Sequence, residues 1–215
     1  HKDNPLQIEA LIFGQAGFLN QSFEEEYPNQ LKREYQFLQK KYNLKPIDIS
    51  LWKFMRMRPQ NFPTLRLAQF AALIINSNHL FSKILVMRDY LNSHVLFENL
   101  PVNPFWKTHY HFNKKAEKVS LQMGKSSIQN ILINTLSLFL FAYGKALDQE
   151  NFVTRSFYLL ENVPSENNAI VKQYEDAGVV VKNAFYSQAI LQLKKKYCNE
   201  KKCLSCGVGI KLLKQ

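Results

Sequence analysis

Glycine is scarce in this chain, with 7 among 215 residues, and cysteine scarcer still, with 3. Few glycines, abundant long aliphatic and aromatic side chains, and prolines placed mostly between helix-like stretches exclude a turn-rich sheet protein and point to an all-α one. A hydrophobic leader and a targeting pattern are both lacking, and the first residue is His1 rather than Met. These absences read as a fragment or processed piece of a soluble, cytoplasmic protein. No Ser-His-Asp order, H-E-x-x-H string or close acidic pair stands out, so acid–base enzymology is unsupported within this chain. A long apolar run is missing too. The most apolar segment, Ile128 to Tyr143, is interrupted by Asn130, Asn134 and Ser137. It reads as too short to span a bilayer, and therefore as the central core helix of a protein with no membrane partner.

What is present begins with charge. The formal balance is +11, and it is uneven: Lys194 to Lys214 holds seven lysines against Glu200, and Lys107 to Lys125 holds five against Glu117. Glu24-Glu25-Glu26 is an acidic counterweight. Such an excess draws acidic partners, DNA or RNA first among them, although lysine runs are also solvated faces that keep a protein soluble.

All three cysteines, Cys198, Cys203 and Cys206, fall within nine residues in a C-x4-C-x2-C spacing. Thiols so spaced can hold zinc, pair as a disulfide, or pack reduced at a helix junction. A structural zinc site needs four ligands, so His109 or His111 would have to complete this one.

The chain reads as one irregular multi-helix domain over residues 1–215, with a long ordered loop around residues 96–124. Asn4-Pro5 is a helix start, and Gly14 and Gly17 are expected to end that helix. Leu31, Tyr35, Leu38 and Tyr42 recur as the buried stripe of a second helix from Phe23. Ser50 is the expected cap of a short helix that Pro59 terminates, Pro63 opens another to about Ile75, and an amphipathic piece after Asn76-Ser77-Asn78 runs through Met87. Further helices are expected from Ser126 or Ser127, over Phe152 to Leu160, from Ser165 to Gly178, over Asn183 to Tyr197, and over Val208 to Leu213.

Between Trp52 and Gln69, three arginines interleave with aromatic residues around two prolines. Arg56, Arg58, Asn61 and Arg66 on a rigid turn before a helix suit phosphate recognition; alternatively Arg66 and Gln69 satisfy buried carbonyls. Gly124-Lys125-Ser126-Ser127 resembles the end of a phosphate-binding loop, but Val119 stands where its first glycine belongs. Ser127, Asn130, Asn134 and Ser137 then draw a polar stripe that can lock onto the Arg66 and Gln69 helix. The candidate nucleic-acid contacts are thus Arg56, Arg58, Asn61, Arg66, Lys125, Lys194, Lys195 and Lys196.

The strings Glu9 to Leu19, Arg58 to Gln69, Gly124 to Ser127 and Lys202 to Cys206 together resemble the C-terminal half of a bacterial family of unknown function. The resemblance implies a missing N-terminal half with a restriction-endonuclease-like nuclease core, which this helical domain would serve by binding nucleic acid. A different class stays open beside it, a structural or assembly module that holds another protein or its own missing half.

Overall fold

A computed structural model describes residues 4–77, 79–87 and 90–213 of the chain. It is mostly helical, and it groups into two compact units, His1–Met87 with Val95–Gly124, and Arg88–His94 with Lys125–Gln215.

The first unit is built on α1 (Pro5–Gln15), α2 (Glu26–Tyr42), α3 (Pro63–Asn76) and α4 (Leu80–Val86). Asn4 caps α1 as expected, its side chain accepting from the Gln7 N–H, with Pro5 at the first helical position. The expected stop at Gly14 is wrong, because that residue lies inside α1. Glycine is needed there for space: a Cβ would sit 2.1 Å from carbons of the Tyr35 ring. The chain turns at Gly17, whose φ of +80° is left-handed. In α2, Leu31, Tyr35 and Leu38 are buried as the stripe requires, while Tyr42 is exposed. Asp48, not Ser50, caps the next turn, a 3-10 segment Ile49–Leu51, and Pro59 opens a 3-10 turn, Pro59–Asn61, rather than closing a helix. Asn78, in the expected break before α4, and Lys214 of the lysine tail lie outside the described residues.

Residues 96–124 carry little regular structure yet form much of this unit's core. They include part of a 3-10 stretch, Tyr90–Phe97, a 3-10 turn, Pro104–Lys107, and a small antiparallel hairpin of β1 (His109–His111) and β2 (Lys114–Lys115), with His109 opposite Lys115. Trp106 is fully buried, stacked on Phe13 at 5.3 Å and tilted against Phe112 at 5.0 Å. Aromatic rings replace helical packing here, burying large areas with few residues.

The second unit rests on one continuous helical rod, α5 (Lys125–Ile131), a π-helical turn Leu132–Leu136 and α6 (Ser137–Ala146). At 22 residues this rod is long and apolar enough, by length and composition, to cross a membrane, so the sequence argument that it is too short does not hold. It is only half a core helix: Ile128, Leu132, Ile133, Leu136 and Leu140 are buried, whereas Leu138 and Phe141 are exposed. Within its polar stripe Asn134 donates to the Asn130 side chain and Ser137 to the Ile133 carbonyl. Antiparallel to it after a left-handed Asp148 runs α7 (Glu150–Asn162). Gly144 lets the two close up, since a Cβ there would lie 2.9 Å from the Val153 N and the Gln149 O. Then come α8 (Ala169–Asp176), capped by Asn168 rather than Ser165, and α9 (Ala184–Leu193), capped by Asn183 and prolonged by a π-turn Lys194–Cys198. A 3-10 turn, Cys203–Ser205, and α10 (Gly207–Leu213) complete the unit.

Candidate functional site

The arginine turn of the first unit is anchored by rings. Trp52 donates its indole N–H to the Ala16 carbonyl at 2.8 Å, and Phe54 packs edge-on against Phe18, Phe62 and His111. Thr64, fully buried, donates to the Tyr110 carbonyl and ties the start of α3 to the hairpin. On this frame the four sequence candidates divide. Arg66 donates to Asn61 Oδ1 at 2.6 Å and to Gln69 Oε1 at 2.8 Å, and Gln69, buried, donates to the Leu121 carbonyl. Arg66 and Asn61 therefore brace the turn, and Gln69 does satisfy a backbone carbonyl. Arg56 and Arg58 are exposed, and neither guanidinium meets a carboxylate among the described residues. The sequence from Ile49 to Met87 contains no Asp or Glu at all. Arg56 also holds a left-handed φ of 59°, a conformation that costs a residue with a side chain about 1 kcal/mol.

Beside the hairpin lies a cleft of about 490 Å3 lined by Ser22, Phe23, Glu24, Glu25, His109, Phe112, Asn113 and Lys115. At its wall Glu25 Oε1 meets His109 Nε2 at 3.1 Å and Lys115 Nζ at 3.0 Å. His109 Nδ1 lies 2.9 Å from the Phe105 carbonyl, and the ring stacks on Phe105 at 4.0 Å. Both ring nitrogens of this buried histidine thus face oxygen atoms. The Lys115 ammonium, and then the charge of His109, hold the Glu25 carboxyl below the usual range. The three glutamates that read as one acidic patch do separate jobs: Glu24 lines the cleft, Glu25 orients His109, and Glu26 pairs with Arg33 at 2.6 Å.

Sequence reasoning missed this pairing, since Glu25 and His109 stand 84 residues apart and no local spacing joins them. It also missed Glu9, which is buried on α1 beside Tyr27 and Asn103. Burial drives the Glu9 carboxyl up to about 7, against opposing hydrogen bonds from Tyr27 and Asn103. The Tyr27 hydroxyl, which accepts from the Trp106 indole at 3.4 Å, is raised by burial and then by Glu9. A signal was available: Glu9 follows Leu6 by three and precedes Phe13 by four, on the apolar side of the helix.

A description of proteins of unknown function, DUF2851, matches residues 1–169. The chain belongs to that family. No curated protein and no solved structure matches it. The family match takes in the whole arginine turn and the cleft, and it stops at residue 169, ahead of the cysteines that formed part of the sequence resemblance.

The remaining candidates fall in the second unit. Lys125, exposed, opens α5, and the element ahead of it in the chain is the two-residue strand β2. Lys195 and Lys196 are exposed and Lys194 is half-buried on the turn that prolongs α9, so these four and the arginine turn belong to different units. Cys198 and Cys203 are exposed and Cys206 is buried, all as free thiols. Among the described residues no group of three or more His, Cys, Asp and Glu side chains is placed to hold a metal ion. The histidines expected to complete a zinc site are engaged in the first unit, His109 by Glu25 and Phe105, and His111 half-buried against Phe18 and Phe54. Cys198 instead contacts the Tyr174 hydroxyl at 3.4 Å, an interaction that pushes Tyr174 up to about 12.

Proposed function

We propose that this chain is a helical module that binds DNA or RNA by its phosphates, in support of a nuclease-like half of a longer protein. The observation that carries it is the pair Arg56 and Arg58, exposed on a braced turn in a stretch free of acids. Guanidinium groups match phosphate oxygens bidentately, and a turn fixed before binding loses little entropy on binding. The overall +11 charge favours the same partner, and the lysines of the second unit add to it. The nuclease-like half rests on the family resemblance alone.

Fluorescence anisotropy with labelled duplex and single-stranded oligonucleotides tests the reading. Affinity is expected to fall linearly on a log–log plot against salt, and Arg56→Ala or Arg58→Ala to reduce that slope by about 1 each. Arg56→Gly separates binding from folding: it relieves the left-handed backbone and should stabilise the protein by up to about 1 kcal/mol while weakening binding as the alanine does. Absence of binding to any oligonucleotide at low salt overturns the proposal and leaves the assembly-module reading, which predicts a complex indifferent to nucleic acid.

A further inference from the structure

Three fates were open to the thiols of this chain: metal, disulfide or reduced packing. Their placement in the fold favours one of them for one pair. Cys203 opens the 3-10 turn Cys203–Ser205 and Cys206 closes it, the Cys206 N–H donating to the Cys203 carbonyl at 3.3 Å. A turn of this kind keeps its end Cα atoms within about 7 Å and sets side chains i and i+3 over one another. A disulfide asks for a Cα separation of about 4.4–6.8 Å. The two ranges overlap, so the turn can accept the bond with little backbone movement.

Exposure divides the pair. Residues 201–205 are all exposed, Cys203 among them, whereas Cys206 is 7 % exposed. Cys203 is open to a reagent in solution, and Cys206 is sheltered from one while standing at the other end of the same turn. The turn is also held in place. The Ser205 N–H and hydroxyl donate to the Lys202 carbonyl at 3.2 and 3.3 Å. From the other side Gly209 brings α10 onto Cys203, since a Cβ there would lie 2.4 Å from the Cys203 carbonyl oxygen. Cys198 is engaged with the Tyr174 hydroxyl at 3.4 Å. Tyr174 also feels the charge of Cys206, which makes Cys198 the rival partner for that thiol.

We propose that Cys203 and Cys206 form a reversible dithiol–disulfide couple that exchanges with small-molecule disulfides. The inference is independent of nucleic-acid binding. The Cys203 thiolate attacks one sulfur of the small disulfide; a mixed disulfide forms, the small S–S bond breaks, and the departing thiolate takes up the proton that Cys203 released. Cys206 then attacks the Cys203 sulfur and expels the second small thiol, which carries away the Cys206 proton. Two protein thiols are oxidised to one disulfide and one small disulfide is reduced to two thiols, and excess thiol reverses the exchange. Because α10 rests on this turn, oxidation fastens that helix.

The test equilibrates the full chain in mixtures of glutathione and glutathione disulfide, quenches it, alkylates it under denaturing conditions and maps the peptides by mass. Oxidation is expected to reduce the alkylatable thiols of the native chain from three to one, Cys198. Cys198→Ser should still form the internal bond, Cys203→Ser should not, and Cys206→Ser should stop at a glutathione adduct on Cys203. Amide exchange across Val208–Leu213 is expected to slow by at least about threefold on oxidation of the native chain. A Cys198–Cys206 bond that survives Cys203→Ser overturns the assignment, as does retention of three free thiols at every glutathione ratio. One zinc per purified chain that blocks alkylation also overturns it, in favour of a metal site. Unchanged exchange in α10 after the bond has formed overturns the fastening of that helix.

Discussion

Replacing Glu9 with Gln is expected to abolish a loss of stability that the native protein undergoes as the pH rises through neutrality. The carboxyl has its folded-state value raised from 4.5 to about 7 by burial. Between those values the folded state holds a proton that the unfolded chain has released, so stability falls as the pH climbs, and the whole penalty applies above about 7. It amounts to about 3 kcal/mol, which for a chain of this size is of the order of 10 °C in Tm. A glutamine keeps the shape of the protonated acid and cannot ionise. Thermal or urea unfolding at a series of pH values, with the variant subtracted from the native protein at each one, isolates Glu9 from its neighbours. The subtraction matters because His111 works in the opposite sense: burial, then Lys114, holds it below 6.5, so its contribution grows as the pH rises towards that value. Glu25 acts lower still, its stabilisation lost only as the pH falls through a value beneath 4.5. A flat difference curve between native and variant would refute the assignment.

Gly14→Ala is expected to destabilise the first unit by about 2–3 kcal/mol, although alanine is the better helix former by about 1 kcal/mol. The new methyl would lie 2.1 Å from the ring carbons of Tyr35, which is 2 % exposed and holds the Gln15 amide at 2.8 Å through its hydroxyl. Neither ring nor helix can yield without breaking that contact. Combining the change with Tyr35→Leu should cost less than the sum of the two single changes, since removal of the ring also removes the clash. Additive costs in urea unfolding would mean that Gly14 serves some purpose other than making room for Tyr35.

These two residues also mark where the sequence was legible and where it was not. Local rules worked when their partners were local: Asn4 before Pro5 caps α1, and the spacing of Leu31, Tyr35 and Leu38 places them inward. They failed when a tertiary neighbour changed a residue's meaning. Gly14 reads as a helix stop because nothing in its own segment reveals the Tyr35 ring. Ser50 and Ser165 looked like caps, but Asp48 and Asn168 stood two or three residues from the amides that needed them. Of the arginine turn, the prolines and ring spacing were readable, while the division of labour between bracing Arg66 and exposed Arg56 and Arg58 is set by side-chain hydrogen bonds that form only in the folded turn. The Glu25–His109 contact joins residues far apart in the chain, which no window of sequence brings together.

Both tryptophans, Trp52 and Trp106, lie in the first unit. Trp106 is fully buried among rings and Trp52 is half-buried against Phe18. Indole emission is therefore a private reporter of that unit, silent about the helices around the cysteines, whereas far-ultraviolet dichroism sums over both. Denaturation followed by the two signals at once counts the cooperative blocks in this chain: superimposed curves mean the units melt together, and displaced curves mean each melts alone.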